Sequence, residues 1–489
     1  MTSSQTSSAA ETTAALGEEQ GAAVRFPEDF TWGASTASFQ IEGSTTADGR
    51  GPSIWDTFSA TPGKVLNGDT GEPAVDHYHR YPEDIELARG LGLGAYRFSI
   101  AWPRVLPKGS GTANQAGLDF YRRLIDTVLE AGMEPWPTLY HWDLPQALED
   151  AGGWPARDTA YRFAEFAEVV RDALGDRITH WTTLNEPWCS AFLGYADGAH
   201  APGRNEPAAA LAATHHLLLG HGLAAAVLRE GQGGASRRVG IVLNQTTVRP
   251  HSTDPVDISA VRRADGVRNR IFTGPLFQGA YPVDVMADLA HISDFAFVRD
   301  GDLSVISAPL DHLGINYYKP ECVAASADGI DPEYIESGGD GSAYVGCDDL
   351  VFVRRGLPRT DIGWEIDATG LYDVITRLAA ECPGVPLYIA ENGAAYDDEV
   401  SADGGVHDRD RVGYIDTHLR AVHEAMGTGA PVKGYFVWSL LDNFEWAWGY
   451  SKRFGVIHVD YTTQRRRIKD SGHWYARVAG SGELPPVGA

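Results

Sequence analysis

Residues 180–188 read HWTTLNEPW and residues 386–393 read PLYIAENG. Each is a short run of apolar, aromatic and β-branched residues that closes on a glutamate, Glu186 or Glu391, with an asparagine beside it. Runs that are apolar at successive positions suit strands buried on both faces, as in parallel sheets covered by helices. Six more runs of this kind begin near Phe30 (FTWGAST), Ala95 (AYRFSI), Glu134 (EPWPTLY), Val239 (VGIVLN), His312 (HLGINYY) and Lys433 (KGYFVWSL).

Helical patterns lie between them. Leu118, Tyr121, Leu124, Ile125 and Val128 fall on one helical face, as do Val412, Ile415, Leu419, Val422 and Met426. Asp367 and Asp158 are expected to cap two further helices, one carrying Leu371, Val374, Ile375 and Leu378, the other Phe163, Phe166, Val170 and Leu174. Eight strand–helix units predict an α/β fold, a closed (β/α)8 TIM barrel in a single domain with long βα loops. The rival, an open doubly wound sheet, lacks its dinucleotide fingerprint: the glycines Gly90, Gly92 and Gly94 precede a strand instead of following one. The domain is expected over residues 25–480. Residues 1–24, rich in Ser, Thr and Ala, read as a disordered tail, and 481–489 as a short C-terminal tail. Residues 319–365 read as an extended loop at the barrel mouth.

The 489 residues carry 40 Lys and Arg against 66 Asp and Glu, a net charge of −26. Such a chain repels polyphosphate backbones and anionic lipid, so neither nucleic acid nor a membrane is an expected partner. Four widely spaced cysteines (Cys189, Cys322, Cys347, Cys382) form no CxxC pair, which suits reduced thiols and a cytoplasmic location. The N-terminal stretch has neither the positive charge nor the apolar run of a secretory signal. His77 and His79 look like a metal pair by letters but lack a third ligand, and His215, His216 and His221 form no HExxH pattern. No metal and no cofactor is expected. Nothing in the chain points to an oligomeric state.

Barrel chemistry sits at the C-terminal ends of strands. Those ends bring Gln40, Arg97, His141, Trp142, Asn185, Glu186, Asn316, Tyr318, Glu391 and Trp438 to one face. Two carboxyl groups across one cavity are what glycoside hydrolysis requires, one to protonate the leaving oxygen and one to attack or to activate water.

The motifs TLNEPW (183–188) and YIAENG (388–393) resemble the two signatures of glycoside hydrolase family 1. FTWGAS (30–35), QIEG (40–43), YRFS (96–99), HWDLP (141–145) and WSLLDNFEW (438–446) resemble it too, in the expected order, from about Phe26 to Trp474. The resemblance implies a retaining, exo-acting β-glucosidase, with Glu186 as general acid/base and Glu391 as nucleophile. It implies that Arg97 and Tyr318 contact the nucleophile and that Asn185 holds the sugar 2-hydroxyl. Gln40, His141, Trp142, Asn316, Glu445, Trp446 and Phe454 join them in holding the sugar. Trp438 is the implied stacking floor, next to a cis bond to Ser439. Trp188 and Trp364 line the leaving-group side. The substrate is then a small molecule such as cellobiose or an aryl glucoside. A carboxylate at Glu445 argues against a 6-phosphorylated sugar, which it would repel. Two alternatives stay open: a preference for β-galactosides or β-fucosides on the same site, and a non-catalytic sugar-binding barrel.

Overall fold

The computed structural model describes residues 24–231, 233–336 and 342–486. The expected tail 1–24 lies outside the described residues but for Val24. Eight parallel strands close a barrel. We label them β1 (Thr31–Ser35), β2 (Ala95–Ser99), β3 (Glu134–Tyr140), β4 (His180–Asn185), β5 (Arg238–Asn244), β6 (His312–Asn316), β7 (Leu387–Asn392) and β8 (Val432–Trp438). Each pairs with its neighbours in sequence order, and β8 closes onto β1 with Gly434 opposite Thr31 and Trp438 opposite Ser35. These are the eight runs expected from sequence, and β2 and β6 are buried at every position.

Helices wrap the barrel: α1 (His77–Gly90), α2 (Gln115–Glu130), α3 (Asp158–Leu174), α4 (Pro207–Arg229), α5 (Pro255–Asp265), α6 (Ala368–Glu381), α7 (Arg409–Gly427) and α8 (Asp470–Ser481). Asp367 caps α6 as expected, accepting the Thr369 N–H. Asp158 does not cap α3. Arg157 occupies that position and Asp158 is the first helical residue, where its charge still favours the positive helix end. Of the described helices, α4 alone has the length and apolarity of a membrane span, but 78% of its apolar window is buried within the protein. His216 Nδ1 donates to the Trp154 carbonyl at 3.1 Å, and His221 Nδ1 meets Thr183 Oγ1 at 2.7 Å, so this helix is core-facing. His77 does start a helix, but its ring is buried on Asp84 instead of lying at the surface.

The C-terminal boundary falls beyond residue 480. Glu483–Leu484 pairs antiparallel with Val24–Arg25, so the two ends of the described chain are joined. The stretch 319–365 is also less irregular than expected: Glu321–Ala324 lies between Val248–Pro250 and Val351–Phe352 in a three-stranded sheet.

The floor of the barrel is aromatic. Trp136 stacks on His180 at 4.1 Å and packs against Tyr388 at 4.8 Å and Phe436 at 5.2 Å. A Cβ at Gly33 would lie 2.4 Å from the Phe436 ring, so glycine in β1 makes room for this plug. The plug fills the barrel interior below the residues at the C-terminal ends of the strands.

Candidate active site

Both glutamates stand where strand pairing slips. The β4–β5 register shifts between Thr182 and Asn185, and the β7–β6 register shifts between Ile389 and Glu391. Such irregularities re-aim side chains, which a strict two-residue alternation would send to opposite faces. Glu186 also takes a left-handed backbone (φ 48°), as do Trp142 (φ 78°) and Trp446 (φ 50°) around the same cavity. Non-glycine residues seldom adopt this conformation, and it collects at functional sites.

The cavity holds about 300 Å³ and is lined by Glu186, Glu391, His141, Trp142, Asn316, Tyr318, Glu445, Trp446, Trp438, Phe454, Trp188 and Trp364. Every expected substrate-binding residue except Gln40 and Asn185 faces it. Those two and Arg97 lie fully buried directly behind the wall. The Gln40 amide nitrogen is spent on Asn443 Oδ1 (3.0 Å) and the Phe444 carbonyl (2.8 Å).

A connected set of hydrogen bonds fixes the carboxyls. Arg97 Nη1 donates to Glu391 Oε1 at 2.6 Å, and its Nη2 to Asn185 Oδ1 at 2.7 Å. Tyr318 donates to Glu391 Oε2 at 2.7 Å. Asn316 Nδ2 donates to Glu186 Oε1 at 2.6 Å and to Asn185 Oδ1 at 3.1 Å, so Asn185 links it to the Arg97 that holds Glu391. Asn185 Nδ2 meets His141 Nε2 at 3.1 Å, while Trp142 Nε1 donates to the Asn185 carbonyl at 3.0 Å. Trp438 lies nearly parallel to His141 (21°), and its peptide bond to Ser439 is cis.

These environments separate the two acids. Burial, and then the negative charge of Glu391, push Glu186 up to about 7. Burial also lifts Glu391 above the ordinary carboxylate value, against the pull of Arg97, Tyr318 and Asn316. Burial thus outweighs the cation in direction, contrary to the simplest reading of an arginine-paired carboxylate. The negative charge of Glu391 is the second cause of the rise in Glu186, so an ionised Glu391 favours a proton on Glu186. Glu445 is pushed up to about 8 by burial and by both neighbours.

Several buried polar atoms in the site have no partner within the protein: Gln40 Oε1, His141 Nδ1, Asn316 Oδ1, Glu445 Oε2 and Trp188 Nε1. Buried polar groups are normally satisfied, so this set is capacity for a hydroxyl-rich ligand.

Cys189, Arg268 and His200 are among the lining residues that escaped the sequence reading. Cys189 Sγ donates to Glu186 Oε2 at 3.1 Å. Arg268 lies over the Trp188 ring at 3.9 Å. Half-buried His200 packs against Trp142 at 5.3 Å. Cys189 sits three residues after Glu186 on the same turn, a spacing visible in the sequence; Arg268, from the short helix Gly266–Arg270, and His200, from a loop, carried no local signal. Among the described residues, no group of three His, Cys, Asp or Glu side chains could hold a metal ion.

Comparison with known proteins agrees with this geometry. The family model for glycosyl hydrolase family 1 matches residues 22–483. Beta-glucosidase A of Thermotoga maritima is 48% identical over 455 residues, covering 93% of this chain and 97% of the relative. A bifunctional beta-D-glucosidase/beta-D-fucosidase of Bifidobacterium breve is 47% identical over 460 residues, covering 92% and 97%. Among solved structures, the psychrophilic beta-glucosidase of Micrococcus antarcticus superposes with a TM-score of 0.90 at 49% identity, over 94% of this chain and 98% of that one. The T. maritima enzyme in complex with castanospermine gives 0.86 at 47% identity, over 94% and 99%. Barrel, paired carboxyls and similarity over nearly the whole length agree: the chain belongs to glycosyl hydrolase family 1.

Proposed function

We propose that the protein is a retaining β-glucosidase that releases single glucosyl units from the non-reducing ends of cello-oligosaccharides and from aryl or alkyl β-glucosides. The observation that carries this is the pair Glu186 and Glu391: two carboxyls lining one cavity, Glu186 held by Asn316 and Glu391 by Arg97 and Tyr318.

In the first step, Glu391 attacks the anomeric carbon while Glu186 gives its proton to the departing glycosidic oxygen. The covalent ester neutralises Glu391. The charge that raised Glu186 is then gone, its pKa drops, and it can take a proton from water for the second step. Arg97 and Tyr318 hold Glu391 in line for attack, and Asn185 is placed for the sugar 2-hydroxyl. Gln40, His141, Glu445 and Trp446 ring the other hydroxyls above Trp438, while Trp188 and Trp364 receive the leaving group. The filled barrel floor supports exo action. A sugar acceptor can replace water at the second step, so transglycosylation accompanies hydrolysis.

A β-fucosidase activity on the same site is the second reading. It is supported by the bifunctional B. breve relative. We further propose a cytoplasmic location, supported by four free, buried cysteines. The test is a panel of 4-nitrophenyl glycosides: β-glucoside, β-galactoside, β-fucoside, 6-phospho-β-glucoside and α-glucoside. Turnover of the β-glucoside without the α-glucoside is expected, and the other β-substrates rank the sugar preference. Silence on all five would revive the non-catalytic reading. Turnover of the phosphorylated sugar alone would refute the role given to Glu445.

A further inference from the structure

The leaving-group side of the cavity carries a cation, Arg268, that moderates the rise in Glu186 but, among the described residues, has no partner carboxylate of its own. Arg268 lies in the segment Gly266–Arg270 after α5 and lines the cavity. Its guanidinium carbon sits 3.9 Å from the centre of the Trp188 ring. With the Asn244 amide turned so that its oxygen faces the arginine, the two terminal nitrogens donate to it at 3.0 and 3.2 Å. Nε is buried and has no partner.

The other charges at this end are compensated. Arg97 pairs with Glu391, and Lys319 Nζ lies 3.1 Å from Glu321 and 3.7 Å from Glu336. Glu336 does not line this cavity; it faces a neighbouring one. Glu186 and Glu445 hold protons near neutrality, at about 7 and about 8, and burial keeps His141 and His200 neutral. Among the described residues Arg268 has no carboxylate within ion-pair distance. A guanidinium held flat by an indole, with a free N–H edge in a partly desolvated wall, is pre-organised for a planar anion. A monoanion fits better than a phosphate dianion, because the carboxyl groups of Glu321 and Glu391 line the same cavity.

We propose that the leaving-group side selects β-glucosides of aromatic acids, the aglycone ring lying between Trp188 and Trp364 and its carboxylate pairing with Arg268. This rests on the β-glucosidase reading above, which places the leaving group on the Glu186 side.

The test compares kcat/KM for 4-carboxyphenyl and 4-carbamoylphenyl β-glucosides, equal in shape but not in charge, in the wild-type protein, R268M and R268K at pH 6. The carboxylate-to-amide ratio is expected to fall about tenfold in R268M, the loss of roughly one charge-assisted hydrogen bond, and to be largely kept in R268K. Equal ratios in all three proteins overturn the proposal. A second measurement needs no variant: 4-hydroxybenzoate should inhibit the wild-type protein about tenfold more tightly than 4-hydroxybenzamide, and equal inhibition overturns it. If the wild-type protein hydrolyses neither substrate nor 4-nitrophenyl β-glucoside, the parent reading fails and this one with it.

Discussion

Replacing Arg97 by Met removes the cation bonded to Glu391 and tests how the site divides its protons. Arg97 and Glu391 are 1% and 3% exposed, and their N–O distance is 2.6 Å. Two unit charges about 4 Å apart attract by about 4 kcal/mol at an effective dielectric of about 20. Removing that attraction should raise Glu391 further above its ordinary value, where burial already places it. The nucleophile then ionises only at higher pH. The acid limb of the kcat/KM profile for 4-nitrophenyl β-glucoside should therefore move to higher pH, and the rate at pH 6 should fall by about 10²- to 10³-fold. Arg97 also holds Asn185, so part of the loss in height comes from the sugar 2-hydroxyl, and the position of the limb is the discriminating readout. An unpaired buried carboxylate costs about 3–5 kcal/mol, so folding is checked by circular dichroism and melting. R97K keeps the charge and loses the two-acceptor geometry; it should lose height with the limb in place. A folded R97M protein whose acid limb stays within half a unit of wild type would refute the reasoning.

Three other perturbations bear on separate parts of the account. E186Q removes the proton donor, so the alkaline limb near pH 7 should vanish. Turnover of poorly activated glucosides should drop about 10²- to 10⁴-fold, while a dinitrophenyl glucoside still gives a burst in stopped flow; a persisting limb would assign the acid elsewhere. Glu445, raised to about 8 in the fold, stays protonated where the unfolded chain has already ionised, so its contribution to stability is complete below about pH 4.3 and is lost as pH rises toward 8. E445Q should therefore flatten the fall in melting temperature between pH 5.5 and 8.5 by an amount worth more than about 1 kcal/mol, and parallel curves would show that Glu445 is not so raised. In G393A the new Cβ would stand 1.8 Å from the Trp438 carbonyl oxygen, so the end of β8 must move. Activity should fall at least about 100-fold, since small displacements of positioned groups are costly; full activity in a folded protein would contradict the tight packing of that strand end.

The barrel was legible because its signal is local and repeated. Each β-strand carries its own apolar run, and helices such as α2 and α7 carry unbroken faces. Glu186 and Glu391 were legible because a carboxyl at the end of an apolar strand is unusual wherever it occurs. The register shift beside Asn185 and Glu186 was not, because a bulge depends on the partner strand and leaves no mark in one strand's own pattern. Arg268 was equally silent: an arginine becomes informative only when its ion-pair partners are known to be absent. The floor of the barrel rests on Trp136, His180, Tyr388 and Phe436, residues from four strands that look like ordinary core until the barrel closes. The pairing of Glu483–Leu484 with Val24–Arg25 is hidden for the same reason, since each partner is two residues long and more than 450 positions separate them.

The central claim is that Glu391 carries the sugar between the two steps. A 2-deoxy-2-fluoro-β-glucoside with a dinitrophenolate leaving group slows both steps but the second more, so the intermediate accumulates and can be weighed. The account predicts that the intact protein gains the mass of one fluoroglucosyl group, that this group maps to the peptide bearing Glu391, and that E391Q gains nothing. A label on Glu186 or Glu445, or no label together with inversion at the anomeric carbon by NMR, would contradict it.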